Sequence, residues 1–112
     1  MTSVLGVAAA ELTADDPLDP AQVVAGSPVT SSLVLASDAT VERGIWEITP
    51  GTVTDVEADE MFVVISGRAT VAVAGGPVFE VGPGDVCVLT EGAQTTWTVH
   101  ETLRKVYQIT LS

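Results

Sequence analysis

The chain has 112 residues, which suits one domain able to bury about two-thirds of its unfolded surface without a metal or disulfide staple. Asp and Glu number 15 against 4 Lys and Arg, a formal net charge of -11, so the surface repels nucleic acid and anionic membrane. The plain reading of that acidity is solubility. Apolar residues make up 46% of the chain, with many Val and frequent Gly, which favours β structure over helix. No stretch approaches the roughly 18 apolar residues of a membrane span. The start, MTSVLGVAAAELTADD, has an apolar patch with no Lys or Arg before it and makes a poor signal peptide. One cysteine, Cys87, lies in an apolar run and cannot form an intrachain disulfide. A buried, reduced thiol in the cytoplasm is the simple account.

Residues 1–30 are the least patterned. Asp15-Asp16-Pro17, Asp19-Pro20 and Gly26-Ser27-Pro28 punctuate them, and Pro20 to Ala25 can make a short helical turn capped by Asp19. The expectation is an N-terminal arm, 1–30, covering an edge strand of a β domain, 31–112, or of a partner's. Ser32 to Ala36 reads as a first strand and GIWEIT as a second, ending at Pro50-Gly51.

The segment Pro50 to Gly67, PGTVTDVEADEMFVVISG, reads as turn, strand, turn, strand, turn. Asp55, Glu57 and Asp59 lie two apart and share one face of an extended chain, while Val56 and Ala58 point the other way. The acidic set is expected in water. Glu60 falls in phase with the inward face, where a carboxylate is costly without a partner.

RATVAVA, VFEV, VCVL, TTWTV and LRKVYQITL follow as strands, with turn glycines at Gly67, Gly75, Gly84 and Gly92. Short strands at that spacing predict an all-β sandwich or barrel. In the last strand Leu103, Lys105, Tyr107, Ile109 and Leu111 form the more apolar face, which places Lys105 and Tyr107 inside. The alternative is that Lys105 snorkels out with its ammonium wet.

Glu60 followed six residues later by Gly67, and Gly84-Asp85 followed by Thr90-Glu91-Gly92, resemble the second half of the first cupin motif and the second cupin motif. Over roughly Gly44 to Ile109 the chain resembles short single-domain cupins of the RmlC-like superfamily, among them the (S)-ureidoglycine aminohydrolase-type and ethanolamine-utilisation cupins. The resemblance implies a double-stranded β-helix, the jelly-roll barrel, with a pocket between the motifs. Metal-binding cupins hold their ion with an HxH pair, the glutamate and a second-motif histidine. Here the pair would fall at Thr54 and Val56, or at Val53 and Asp55, and the last histidine at Thr95. Only Glu60 remains of that set, and Thr and Val do not replace imidazole donors. No metal and no cofactor are therefore expected, unless Asp55 or Asp59 turned inward to give an oxygen site beside Glu60.

The expected pocket lining is Val56, Glu60, Phe62, Thr95, Trp97, Lys105 and Tyr107, with Glu60 and Lys105 paired in place of a metal. Trp97 either caps a pocket or fills core space, and Trp46 reads as core or interface. The lone imidazole, His100, is expected to be exposed, with no catalytic role. Three functions compete. The first is a binding protein for a small polar metabolite. The second is a small-metabolite enzyme (amidohydrolase, isomerase or lyase) with Glu60 as general base and Lys105 or Tyr107 as acid. The third is a non-catalytic scaffold. A homodimer is the expected assembly.

Overall fold

A computed structural model describes residues 3–111. The first two residues of the expected arm, and Ser112, lie outside the described residues. Among the described residues nine strands form: β1 (Thr13–Ala14), β2 (Val23–Gly26), β3 (Thr30–Ser37), β4 (Val41–Ile48), β5 (Gly51–Val56), β6 (Glu60–Val73), β7 (Val78–Val81), β8 (Val86–Leu89) and β9 (Gln94–Thr110). The one helical piece among the described residues is a 3-10 turn, Pro20–Gln22, whose cap Asp19 accepts a hydrogen bond from the Ala21 N–H at 2.9 Å.

The strands form one curled antiparallel sheet, a cupin-type jelly-roll barrel. Its spine is the pairing of β6 with β9 along nearly their full lengths, Glu60 opposite Ile109 at one end and Val73 opposite Thr95 at the other. On its other side β9 pairs first with β5 and then with β4. β7 and β8 lie on β6, and β3 lies on β4.

The two spine strands are each longer than the sequence suggests. MFVVI and RATVAVA are one strand, bent rather than broken at Ser66-Gly67. The register slips between Val64 and Ala69, and Gly67 adopts φ +86°. A Cβ on Gly67 would sit 2.0 Å from the Thr102 carbonyl oxygen, so the two spine strands close here only because the residue is glycine. The slip also changes phase. Glu60, Phe62 and Val64 point inward before it, and Ala69 and Val71 after it. TTWTV and LRKVYQITL are likewise one strand, with Thr95, Trp97, Val99, Leu103, Lys105 and Tyr107 all buried. Leu111, grouped with that inward face by alternation, lies beyond the end of β9 and is exposed.

The N-terminal residues cap the two edges: β1 pairs with β3 and β2 with β5. Further upstream, Arg104 reaches out of β9. Its Nε donates to Glu47 at 3.1 Å, and its Nη1 donates to the carbonyls of Val7, Ala8 and Ala10 at 3.0, 3.3 and 2.9 Å. One guanidinium thus ties the start of the chain to the outer face of the barrel.

Candidate functional site

The barrel is not packed solid. A cavity of about 300 Å³ opens on its inner face. β4 contributes Glu42, Trp46 and Ile48. β5 contributes Val53, Thr54 and Asp55, and β9 contributes Trp97, Lys105, Tyr107 and Ile109. Glu57 and Glu60 enter from the start of the β5–β6 turn and the start of β6, while Leu18 and Gln22 close over it from the arm. Gln22 holds that position by donating from Nε2 to the Thr54 carbonyl at 3.2 Å.

The floor is a buried ion pair. Lys105 Nζ donates to Glu60 Oε2 at 2.6 Å, with both side chains under one-tenth exposed. The ammonium also lies 4.3 Å from the Phe62 ring centre, 4.6 Å from that of Trp46 and 5.1 Å from that of Trp97. Lys105 therefore does not snorkel. Its stem sits at a core position, and the carboxylate and three aromatic faces replace the water its charge gave up.

A second carboxylate cluster stands beside it. Glu57 is buried, and its Oε2 accepts from Thr95 Oγ1 at 2.6 Å and from Trp97 Nε1 at 3.2 Å. Asp55 lines the cavity next to it. Burial, and then the Glu57 charge and hydrogen bond, push the Asp55 carboxyl up to about 6. At the far wall Tyr107 donates its hydroxyl to Glu42 Oε2 at 2.8 Å. Burial, followed by that carboxylate, raises its phenol well above the usual range. Behind the floor Cys87 is buried, and its thiol is pushed up to about 11 by burial, which keeps it an inert core residue. Among the described residues every buried side-chain nitrogen or oxygen has a partner.

Several sequence expectations need correction. Val56, expected inside, is 67% exposed, and Glu57, expected in water, is buried. Alternation carried unbroken from Asp55 to Glu60 assigns these faces wrongly, because the strand ends between them. The Glu57 N–H donates to the Ala93 carbonyl at 2.9 Å and the Gly92 N–H to the Glu57 carbonyl at 2.8 Å, and a turn at Ala58-Asp59 then resets the phase before β6. Val53 and Glu57 are thus buried, and Asp55 between them lines the cavity while staying exposed. Of the expected lining, Glu60, Trp97, Lys105 and Tyr107 meet in the cavity. Phe62 and Thr95 are buried behind it, one beneath the ammonium and one bonded to Glu57. Glu42, Trp46, Asp55 and Glu57 were not in the expected lining. A second inward reading of the odd-numbered residues of β5 would have found Asp55 and Glu57. Nothing local marks Glu42 or Trp46.

The donor set does not fit a metal ion. Neither pair that the cupin resemblance implies as ligand positions, Thr54 and Val56 or Val53 and Asp55, carries an imidazole, and neither does Thr95. Glu57 and Glu60 already accept from protein donors, and the Lys105 ammonium would repel a cation placed at Glu60. His100 is on β9 but exposed, 2.8 Å from Thr70 Oγ1 on the outer surface. Among the described residues no three His, Cys, Asp or Glu side chains are grouped to hold an ion. The general base expected at Glu60 is likewise engaged by Lys105.

Residues 35–107 match the family model described as the EutQ-like cupin domain. Among solved structures, a protein of unknown function of the DUF861 family from Pseudomonas syringae pv. tomato is similar over 90% of this chain, at 28% identity and a TM-score of 0.81. The match covers 45% of that protein's length, so this chain spans under half of it. The EutQ protein of Clostridium difficile is similar at 20% identity and a TM-score of 0.70, covering 86% of this chain and 76% of that one. A DUF861 family protein from Thermotoga maritima is similar at 24% identity and a TM-score of 0.56, covering 58% and 75%. No curated protein matches the chain. The likenesses to the two more distant structures speak for the fold alone.

Proposed function

The chain belongs to the family of EutQ-like cupin domains, and from that premise we propose that its barrel binds a small polar metabolite in the cavity above the Lys105–Glu60 pair. The observation that carries this reading is the lining itself. A barrel serving only as a scaffold gains most from an apolar interior. This one keeps open space of about 300 Å³ and surrounds it with Glu42, Asp55, Glu57, Glu60 and Lys105. Three of these, Glu57, Glu60 and Lys105, are buried; buried charge is costly to hold, and a convergent polar set in an otherwise apolar pocket is the usual form of a ligand site.

Trp46 and Trp97, the only two tryptophans, both line the cavity, so intrinsic fluorescence reports directly on its occupation. Titration with a panel of small polar metabolites is expected to give a saturable change matched by a rise in Tm. Val53→Trp, which fills the cavity, is expected to abolish both. If no compound in the panel shifts either signal, the scaffold reading takes its place.

An enzymatic reading has one observation in its favour. Asp55, whose carboxyl is pushed up to about 6 at the cavity wall, is suited to exchange protons near neutral pH, and general-base work falls to it rather than to Glu60. We also propose that the protein is a cytoplasmic homodimer. Met61, Val86 and Val88 form an exposed apolar patch on the outer sheet, with Met61 directly opposite Val88. Light scattering should give twice the chain mass, and Val88→Lys should return it to one. A monomeric wild type would retire the dimer.

A further inference from the structure

We propose that the cavity selects a cationic organic ligand, a small ammonium or guanidinium compound with an apolar body. The inference rests on the reading of the cavity as a ligand site and names the class of compound it takes.

The charge balance of the lining points this way. Four carboxylates (Glu42, Asp55, Glu57 and Glu60) face one ammonium, and no Arg or His lines the cavity. That ammonium is already engaged. Lys105 is bonded to Glu60 at 2.6 Å and covered by the rings of Phe62, Trp46 and Trp97. An anionic ligand would find no free positive charge and three surplus negative ones at short range. A cation meets the opposite situation. Asp55 and Glu57, two residues apart, put like charges on the same cavity lining, and a positive nitrogen placed beside them in the open space relieves their repulsion. The chain's net charge of -11 draws cations towards the same site from a distance.

The remaining walls set the ligand's body. Leu18, Trp46, Ile48, Val53 and Ile109 are apolar and line the same space as the carboxylates. A bare inorganic ion would leave that surface uncovered, and the donor set has been shown not to fit one. At about 300 Å³ the cavity holds about ten water-sized groups, so the ligand is a compact amine rather than a nucleotide or peptide.

A matched triplet tests the class: cyclohexylmethylamine, cyclohexylmethanol and cyclohexanecarboxylate, one skeleton with three charges, followed by tryptophan fluorescence at pH 7.5. Similar triplets built on other small skeletons complete the set, with Mg²⁺ and Ca²⁺ as inorganic probes. The expected result is saturable binding confined to ammonium members, at least tenfold tighter than their alcohols, with the carboxylates silent. Asp55→Asn, a partly exposed position that should fold, is expected to weaken the ammonium members about tenfold. If an alcohol or carboxylate bound as tightly as its amine, the class would be wrong and the ligand-site reading would survive. Saturable Mg²⁺ or Ca²⁺ binding at the tryptophans, with the amines silent, would likewise overturn an organic ligand. No response from any triplet, ion or metabolite would remove the ligand-site reading along with the class.

Discussion

Lys105 and Glu60 meet at 2.6 Å inside the barrel, on the paired strands β9 and β6, forty-five residues apart in the sequence. Each satisfies the other, and both side chains are under one-tenth exposed. Removing one partner leaves the other as an uncompensated buried charge. Lys105→Met is therefore expected to destabilise the protein by about 3–5 kcal/mol. The double variant Glu60→Gln plus Lys105→Met should recover much of that loss, since it removes both charges. Urea unfolding of the four proteins in a double-mutant cycle measures the coupling. A cost below about 1 kcal/mol for Lys105→Met would place the pair among solvent-screened bridges instead.

Asp55 gives a pH dependence whose sign can be stated. Its folded-state carboxyl is pushed up from 3.8 to about 6, by burial first and by Glu57 second, with Lys105 opposing. The other titratable groups lining the same cavity are Glu42, Glu60 and Tyr107. The folded protein therefore holds this proton more tightly than the unfolded chain. Asp55 lowers stability as pH rises from about 4 through about 6, and its full cost is present above that range. Asp55→Asn should stabilise the fold at pH 7.5, by about 1 kcal/mol after allowing for partial exposure. That corresponds to a Tm gain of about 4–8 °C, vanishing near pH 4. Calorimetry at the two pH values checks it. A gain that persisted undiminished at pH 4 would mean the effect is not electrostatic.

Gly67 shows how much one backbone atom governs the barrel. Gly67 and Gly84 share the same left-handed conformation, φ +86° and +87°. A Cβ at Gly84 meets open space, whereas at Gly67 it would lie 2.0 Å from the Thr102 oxygen. Gly84→Ala is expected to cost about 1 kcal/mol of backbone strain. Gly67→Ala should cost about 3 kcal/mol or more, because the β6–β9 spine must open to admit the methyl. Equal losses in thermal unfolding would show that conformation alone, not close approach, sets the requirement.

The barrel and the pairing at its centre were legible because both follow from period-two alternation around a few turn residues. Leu103, Lys105 and Tyr107 share a face with Glu60 and Phe62 through local geometry, and alternation is a property each strand carries in its own residues. The same rule failed at Val56 and Glu57. It holds only while the strand is unbroken: pairing with Ala93 and Gly92, more than thirty residues away, carries the β5 phase on to Glu57, and the break falls after it at Ala58-Asp59. It failed again at Ser66-Gly67, read as a stop, where pairing with β9 carries β6 through a bend. The cavity was beyond reach in a different way. Glu42 and Trp46 come to it from β4, and Leu18 and Gln22 from the arm, and only their packing decides that space remains between them. The chain by itself determined the all-β class, the faces of the strands that run unbroken and the presence of charge in the interior, since these rest on neighbours in sequence. The tertiary structure decided which carboxylates are buried, what covers the lysine and where the open volume lies, because those depend on contacts between strands that no local pattern encodes.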